Sequence, residues 1–148
     1  MRDVSVEQFE AQAGQLPTLT RKRARHVISE NNRTLQAAEA MKRGDAIELG
    51  RLMRASHASL RDDFEVSNYA LNTMVECTER QPGYYGSRMT GAGFGGCAIA
   101  LVQADCAELF SKTVAADYQS VTGLTPNVYV CVATNGAEVI ASSETKAT

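Results

Sequence analysis

The stretch "GSRMTGAGFGGCAIALV", residues 86–102, decides how the chain is organised. It holds five glycines in its first eleven residues and then turns apolar. Gly91, Gly93 and Gly96 fit the G-x-G-x-x-G spacing of dinucleotide-binding folds, but that fingerprint needs its last glycine to open a helix whose N-terminus holds a pyrophosphate. Here Gly96 opens "CAIALV", which is typical of a buried strand. The stretch therefore predicts a strand, a glycine loop and a second strand.

Outward from this hairpin, the periodicity predicts helices first and strands later. Helices are expected over about 5–13 and 20–42, from Asp45 to near "RDDF" (61–64), from a cap at Ser67 or Asn68 to "QPG" (81–83), and over about 105–122, from capping residues and 3.6-residue apolar stripes. In the last of these helices, Leu109, Phe110, Thr113 and Tyr118 are expected to face inward. Strands are expected at "YYGSRM" (84–89), "CAIALV" (97–102) and "NVYVCVA" (127–133), with an Asn-Gly turn and a closing strand in "TNGAEVI" (134–140). This order predicts one α+β domain over residues 1–148, an antiparallel or mixed four-stranded sheet with helices on one face and extra N-terminal helices.

Composition excludes several classes of protein. A length of 148 residues, 44% hydrophobic content and a net charge of −2 are typical of one ordinary globular domain, not of a nucleic-acid or membrane-surface binder. The polar N-terminus lacks the apolar core of a signal peptide, and "CAIALV" is too short to span a bilayer, so a cytoplasmic protein is expected. No CxxC spacing is present, so free and mostly buried thiols are expected at the four cysteines, Cys77, Cys97, Cys106 and Cys131.

Three stretches resemble one family. "GSRMTGAGFGGC" (86–97) looks like the third signature motif of galactokinases, in the GHMP small-molecule kinase superfamily. "RARHVISENNRTLQAAEAMKRGD" (23–45) and "LMRASHASLRDDFEVS" (52–67) are similar to segments of the C-terminal half of those enzymes. The resemblance extends over nearly the whole chain, and it implies the family's ferredoxin-like C-terminal domain.

The resemblance also implies a reaction for the complete enzyme, in which MgATP phosphorylates the anomeric hydroxyl of D-galactose to give galactose 1-phosphate and ADP. The family's sugar-binding motif, its ATP-gripping loop and its catalytic Asp and Arg have no counterpart in these 148 residues. We therefore expect no catalytic residue here, no tightly bound ATP or Mg²⁺, and no kinase activity without an N-terminal domain joined in the same chain.

The expected site residues cluster at the glycine loop. The resemblance places this loop near the phosphates of ATP, and its residues are Gly91, Ala92, Gly93, Phe94, Gly95 and Gly96. Glycines allow a close backbone approach, and successive amides can form an anion nest, although a glycine-rich hairpin without a ligand remains an alternative. Arg88 and Thr90 flank the loop and could reach a phosphate, while Arg88 could equally pair with a helix carboxylate. Arg61 or Asp62 could form an ion pair that fixes the helix under the loop.

Other features carry weaker signals. His57, Asp62 and Asp63 do not share a helix face at i, i+4 spacing, so no metal site is expected. "RKRARH" (21–26) is expected to be a solvated helix face, and His26 an interior or boundary residue.

The chain departs from the family at residues 68–72, where "NYALN" replaces a small residue followed by Pro-Glu-Leu-Asp. Three other functions remain open: an N-acetylgalactosamine kinase, a sugar- and ATP-binding regulatory protein, and a stand-alone small-molecule-binding domain.

Overall fold

The computed structural model describes residues 3–134 and 136, and within them the chain forms five α-helices and one antiparallel strand pair. The helices are α1 (Val6–Gln12), α2 (Thr18–Lys42), α3 (Ala46–Ser59), α4 (Tyr69–Glu79) and α5 (Ala107–Thr122), and the strands are β1 (Tyr84–Thr90) and β2 (Cys97–Val102). A single turn of π-helix, Leu60–Phe64, extends α3 and is called the π-turn below. Short 3₁₀ turns lie at Ala13–Gln15 and Ala104–Cys106. The α+β class and the strand–loop–strand arrangement are confirmed.

Local capping chemistry starts three of the helices where the sequence predicts. Ser5 and Gln8 bond reciprocally at the start of α1, which satisfies two otherwise unpaired backbone donors. Asp45 accepts the amide of Glu48 at 3.0 Å at the start of α3. Asn68 accepts the amide of Leu71 at 2.9 Å at the start of α4. These caps depend on neighbours three residues away, which is why the sequence alone locates them.

The sheet is a single hairpin, ordered β1–β2, with Thr90 opposite Cys97 and Met89 opposite Ala98. The glycine loop, residues 91–96, joins the strands. Helix α3 lies along β1, at a crossing where Gly50 and Gly86 bring the two backbones together. A methyl group at either glycine would overlap the other element's backbone, so this crossing requires glycine on both sides.

Two apolar clusters hold the domain together. One joins α4, α5 and the hairpin through Cys77, Phe110, Val114 and Tyr118, with Met74, Tyr84, Ala100 and Val102 against them. The other joins α1 to α2 through Phe9, Ala13 and Ile28. Among the described residues, no helix is both long and apolar enough to cross a membrane.

The predicted third strand is wrong. Residues 127–133 carry no regular secondary structure, and Tyr129 and Val132 are 81% and 82% exposed. Alternating apolar residues favour a strand only where a paired edge and a buried face are available, and here the segment has neither. Over the described residues the sheet therefore has two strands rather than four. The predicted closing strand in 134–140 lies outside the described residues apart from 134 and 136.

Three smaller expectations about burial are also wrong. Cys97 and Cys131 are exposed, whereas only Cys77 is fully buried. Cys97 begins β2, whose odd-numbered residues Cys97 and Ile99 face outward because side chains alternate along a strand. Likewise Leu109 is 62% exposed although the helical stripe predicts that it faces inward.

Candidate functional site

The backbone of the glycine loop adopts left-handed conformations at almost every position. Gly91, Gly93, Gly95 and Gly96 have φ values of 85°, 78°, 145° and 103°, and Phe94 has a φ of 54°. Side chains with a Cβ rarely adopt such values, which explains why this segment is made of glycine. Phe94 is the exception, and its ring is 72% exposed.

The loop is fixed to the turn that precedes α4. The amide of Phe94 donates to the carbonyl oxygen of Val66 at 2.8 Å. A Cβ on Gly93 would lie 2.7 Å from that same oxygen and 3.4 Å from Cε of Met89. The backbone at Val66 is therefore the seat on which the loop rests. Within the loop, Gly93 is the position where a side chain would clash with that seat.

The π-turn that leads to this seat is clamped by the start of α2. Lys22 donates to the carbonyl of Asp62 at 3.2 Å and pairs with Glu65 at 2.8 Å. Arg23 donates to the carbonyl of Asp63 at 2.6 Å and also pairs with Glu65 at 2.8 Å. Glu65 has a φ of 59°, so these two cations hold a residue in a left-handed conformation. The basic stretch "RKRARH" is thus partly an internal clamp rather than only a solvated face.

Of the two roles open to Arg88, the structure shows the ion pair. Its Nη1 lies 3.2 Å from Oε1 of Glu30, on α2. Glu30 also accepts from the hydroxyl of Ser56 at 2.6 Å and pairs with Arg33 at 2.8 Å. Burial raises the pKa of Glu30, but the bonds from Ser56 and Arg33 together with the nearby charge of Arg88 outweigh it, so that its pKa lies below the ordinary 4.5. Arg88 therefore joins β1 to α2 behind the loop.

The remaining predicted site residues take different positions. Thr90 is exposed at the end of β1, next to the loop. Arg61 and Asp62 pair with each other at 2.8 Å on the π-turn, where the bond from Arg61 lowers the pKa of Asp62. No group of three or more His, Cys, Asp or Glu residues is placed to hold a metal ion within residues 3–134 and 136. A cavity of about 410 Å³ lies between α1, α2 and α3, away from the loop, and Asp62 is its one predicted site residue.

Sequence reasoning missed the part that His57 plays. Its Nδ1 accepts the amide of Met89, at 3.3 Å, and the ring is 4% exposed. His57 and Met89 lie 32 residues apart, so no local spacing indicates this bond. Gly50 gave a usable signal, because an isolated glycine inside a helical pattern often has a packing reason.

Comparison with known proteins gives consistent results. The family model "GHMP kinases C terminal" matches residues 37–118. A galactokinase of Roseiflexus sp. (strain RS-1) is 48% identical over 136 residues, which cover 92% of this chain and 35% of that protein. A galactokinase of Haemophilus influenzae (strain PittEE) is 48% identical over 144 residues, 95% of this chain and 38% of that protein.

A solved structure agrees with these matches. The crystal structure of Lactococcus lactis galactokinase complexed with galactose superposes with a TM-score of 0.79 at 46% identity, over 83% of this chain and 32% of that one. The chain thus spans a little over a third of the length of the curated relatives it matches.

Proposed function

The chain belongs to the GHMP kinase C-terminal family, and from that premise we propose that it forms the C-terminal domain of a galactokinase. In the complete protein, the γ-phosphoryl group of MgATP passes to the anomeric hydroxyl of D-galactose, giving galactose 1-phosphate and ADP. The observation that supports this most strongly is 48% identity to galactokinases over nearly the whole chain.

The glycine loop is the part of this chain that we place beside the phosphates of ATP. It is exposed at Gly91, Ala92 and Gly96, and its backbone conformations suit close approach by an anionic group. Phosphoryl transfer depends on positioning and on neutralising charge on the phosphoryl oxygens. A loop seated on Val66 supplies fixed backbone dipoles to such a site.

Other residues near the loop have supporting roles in this proposal. Thr90 offers an exposed hydroxyl at the end of β1 that can reach a phosphate oxygen. Arg88 supports the loop from behind through Glu30. Arg61 and Asp62 pair with each other on the π-turn before the seat of the loop, and the carbonyl of Asp62 ties that turn to Lys22 on α2.

The reaction requires residues that these 148 do not contain, so we propose that this chain alone is inactive. The nucleotide-gripping loop, the sugar-binding residues and the catalytic Asp are supplied by an N-terminal domain joined in the same chain. ATP and Mg²⁺ are bound mainly by that domain, since the described part of this chain offers backbone amides to phosphates but no carboxylate cluster for a divalent cation.

A chimaera tests the proposal directly. The C-terminal segment of Lactococcus lactis galactokinase that superposes on this chain is replaced by residues 1–148, and ADP release is measured with MgATP and galactose. We expect galactose-dependent turnover from the chimaera and none from this chain alone. The truncated Lactococcus protein without any C-terminal segment is the matched control and should be inactive.

A sugar panel separates the proposal from its rivals. Galactose should be the preferred substrate over N-acetylgalactosamine at equal concentration. A folded chimaera that binds galactose and ATP but releases no ADP would instead favour a sugar-binding regulatory protein. Galactose-dependent ADP release from the isolated chain would show that the assignment of the catalytic residues to another domain is wrong.

A further inference from the structure

One face of α3 contacts the backbone of β1 at three successive positions along the helix. Gly50, Arg54 and His57 are spaced by four and three residues, so they share that face. Gly50 meets the backbone of Tyr85 and Gly86, and Arg54 donates to the carbonyl of Tyr85. His57 accepts the amide of Met89 at 3.3 Å. These contacts follow β1 from Tyr85, where the pairing with β2 is irregular, to Met89.

The bond to Met89 lies in the interior. His57 is 4% exposed and Met89 is 2% exposed, so water does not replace the bond if it is lost. A buried amide without an acceptor costs free energy comparable to a lost hydrogen bond. Loss of the bond from His57 would therefore leave the Met89 amide buried without an acceptor.

We propose that His57 is a positioning residue for the glycine loop, and that it acts only as a neutral imidazole with its proton on Nε2. Nδ1 can accept the Met89 amide only when it carries no proton. In the imidazolium form Nδ1–H would face Met89 N–H, so two donors would oppose each other and the strand end would be released. The proposal concerns this chain's own geometry and holds whether or not the chain is part of a kinase.

The surroundings of His57 favour the neutral ring. Burial lowers the pKa of His57, and the nearby cations Arg61 and Arg88 lower it further, against the opposing influence of Asp62 on the π-turn and Asn72 on α4. Nε2 is buried and makes no hydrogen bond to any described residue. The Asn72 amide oxygen already accepts the hydroxyl of Ser67 at 2.7 Å. A neutral side chain at position 72 therefore offers the imidazolium no negative charge, and the neutral ring is favoured.

The position of Met89 is transmitted to the loop. Met89 precedes Gly91 by two residues, and its Cε lies 3.4 Å from where a Cβ of Gly93 would be. The far side of the loop is held separately, by the bond from Phe94 to Val66. The loop therefore has two anchors, and the protonation state of His57 controls the first.

Amide exchange in the 148-residue chain, followed by NMR, tests the proposal. In His57→Asn the side-chain amide can replace Nδ1 as the acceptor, whereas the longer His57→Gln side chain cannot do so at the same place. We expect the Met89 amide to exchange about tenfold faster in His57→Gln and within about threefold of the unsubstituted chain in His57→Asn. Equal protection of Met89 in the two variants would overturn the proposal.

A pH titration of the unsubstituted chain needs no variant, and it decides the matter if His57→Gln does not fold. The Met89 and Gly91 amide resonances should move together with those of the His57 ring as the pH falls. His57→Asn should abolish that response, and His26→Gln, which removes the other imidazole, should leave it intact. A Met89 resonance that ignores the titration of His57 would overturn the proposal.

The variant Asn72→Asp tests whether the protonation of His57, and not only its packing, controls the Met89 amide. A carboxylate at position 72, whose side chain influences the His57 ring, stabilises the imidazolium, so the midpoint of the Met89 response should shift to higher pH. An unchanged midpoint would show that the proton on His57 does not control the strand end.

Discussion

At the scale of single residues, the glycine loop offers a matched pair of substitutions. Gly91 and Gly93 have nearly the same φ, 85° and 78°, so an alanine at either one meets similar backbone strain, about 1–2 kcal/mol. Only at Gly93 does the added methyl also meet a backbone atom, the Val66 oxygen at 2.7 Å, whereas at Gly91 nothing lies within 4 Å. We therefore expect Gly93→Ala to break the bond between Phe94 and Val66 and Gly91→Ala to keep it.

The Phe94 amide resonance reports this difference, and Gly91→Ala is the control for strain. In the chimaera, Gly93→Ala should lower kcat for galactose phosphorylation by about tenfold or more relative to Gly91→Ala, because small misplacements at a phosphoryl-transfer site are costly. If the Phe94 resonance shifts only in Gly93→Ala and the two variants nevertheless have equal kcat values, the bond between Phe94 and Val66 does not contribute to catalysis.

Residues whose partners are near in sequence could be predicted, and those with distant partners could not. The glycine content alone indicated the loop at 91–96. Nothing local could choose between a phosphate and a carboxylate for Arg88, because Glu30 lies 58 residues away. The same holds for His57, whose acceptor role depends on a strand placed beside α3 by the fold.

At the scale of elements, the crossing of α3 and β1 depends on Gly50. An alanine there would overlap the carbonyl of Tyr85, and a backbone atom cannot move aside as the end of a side chain can. We expect Gly50→Ala to lower the free energy of unfolding by about 1–3 kcal/mol, the usual cost of overpacking. Chemical denaturation of this chain measures it.

Gly14→Ala is the control for that substitution, since a Cβ there would meet nothing within 4 Å. It should leave the stability within about 0.5 kcal/mol of the unsubstituted chain. A Gly50→Ala variant as stable as Gly14→Ala would mean that the α3–β1 distance is not fixed by this crossing.

Helices could be predicted where their capping residues and apolar stripes lie within one segment of the sequence. The starts of α1, α3 and α4 follow from Ser5, Asp45 and Asn68. The strand expected at 127–133 was not formed, because a strand is stabilised by its neighbours and not by its own alternation. The π-turn at Leu60–Phe64 also escaped prediction, since its clamp comes from Lys22 and Arg23, about 40 residues earlier.

At the scale of the whole molecule, polar contacts between elements converge on the segments around the glycine loop. The start of α2 clamps the π-turn, Glu30 on α2 pairs with Arg88 on β1, and His57 on α3 bonds the backbone of β1. Each contact joins elements far apart in sequence, so the shape of the loop depends on the complete fold. The loop, which has few side chains of its own, is therefore positioned by the contacts of the segments around it.

The free energy of unfolding should decrease as the pH falls and the two histidines become protonated. Burial is the main cause that lowers the pKa of both His26 and His57 below the ordinary 6.5. Below pH 6.5 the histidines are therefore protonated more fully in the unfolded chain than in the folded chain. Their contribution to stability is complete above pH 6.5, and it is lost as the pH falls through the lower pKa values of the folded state. Carboxylates such as Glu30, whose pKa is also lowered from 4.5, add their own loss only at more acidic pH.

Thermal unfolding measured between pH 7.5 and 5.5, at about half-unit steps, tests this sign. The melting temperature should decrease steadily toward pH 5.5, before the carboxylates titrate. A His26→Gln, His57→Asn double variant should show a much flatter profile over the same range, whatever its absolute stability, because the two groups that take up protons on unfolding are gone. An equally steep profile in the double variant would place the proton uptake on other groups, and would contradict the view that His57 is held neutral behind the glycine loop.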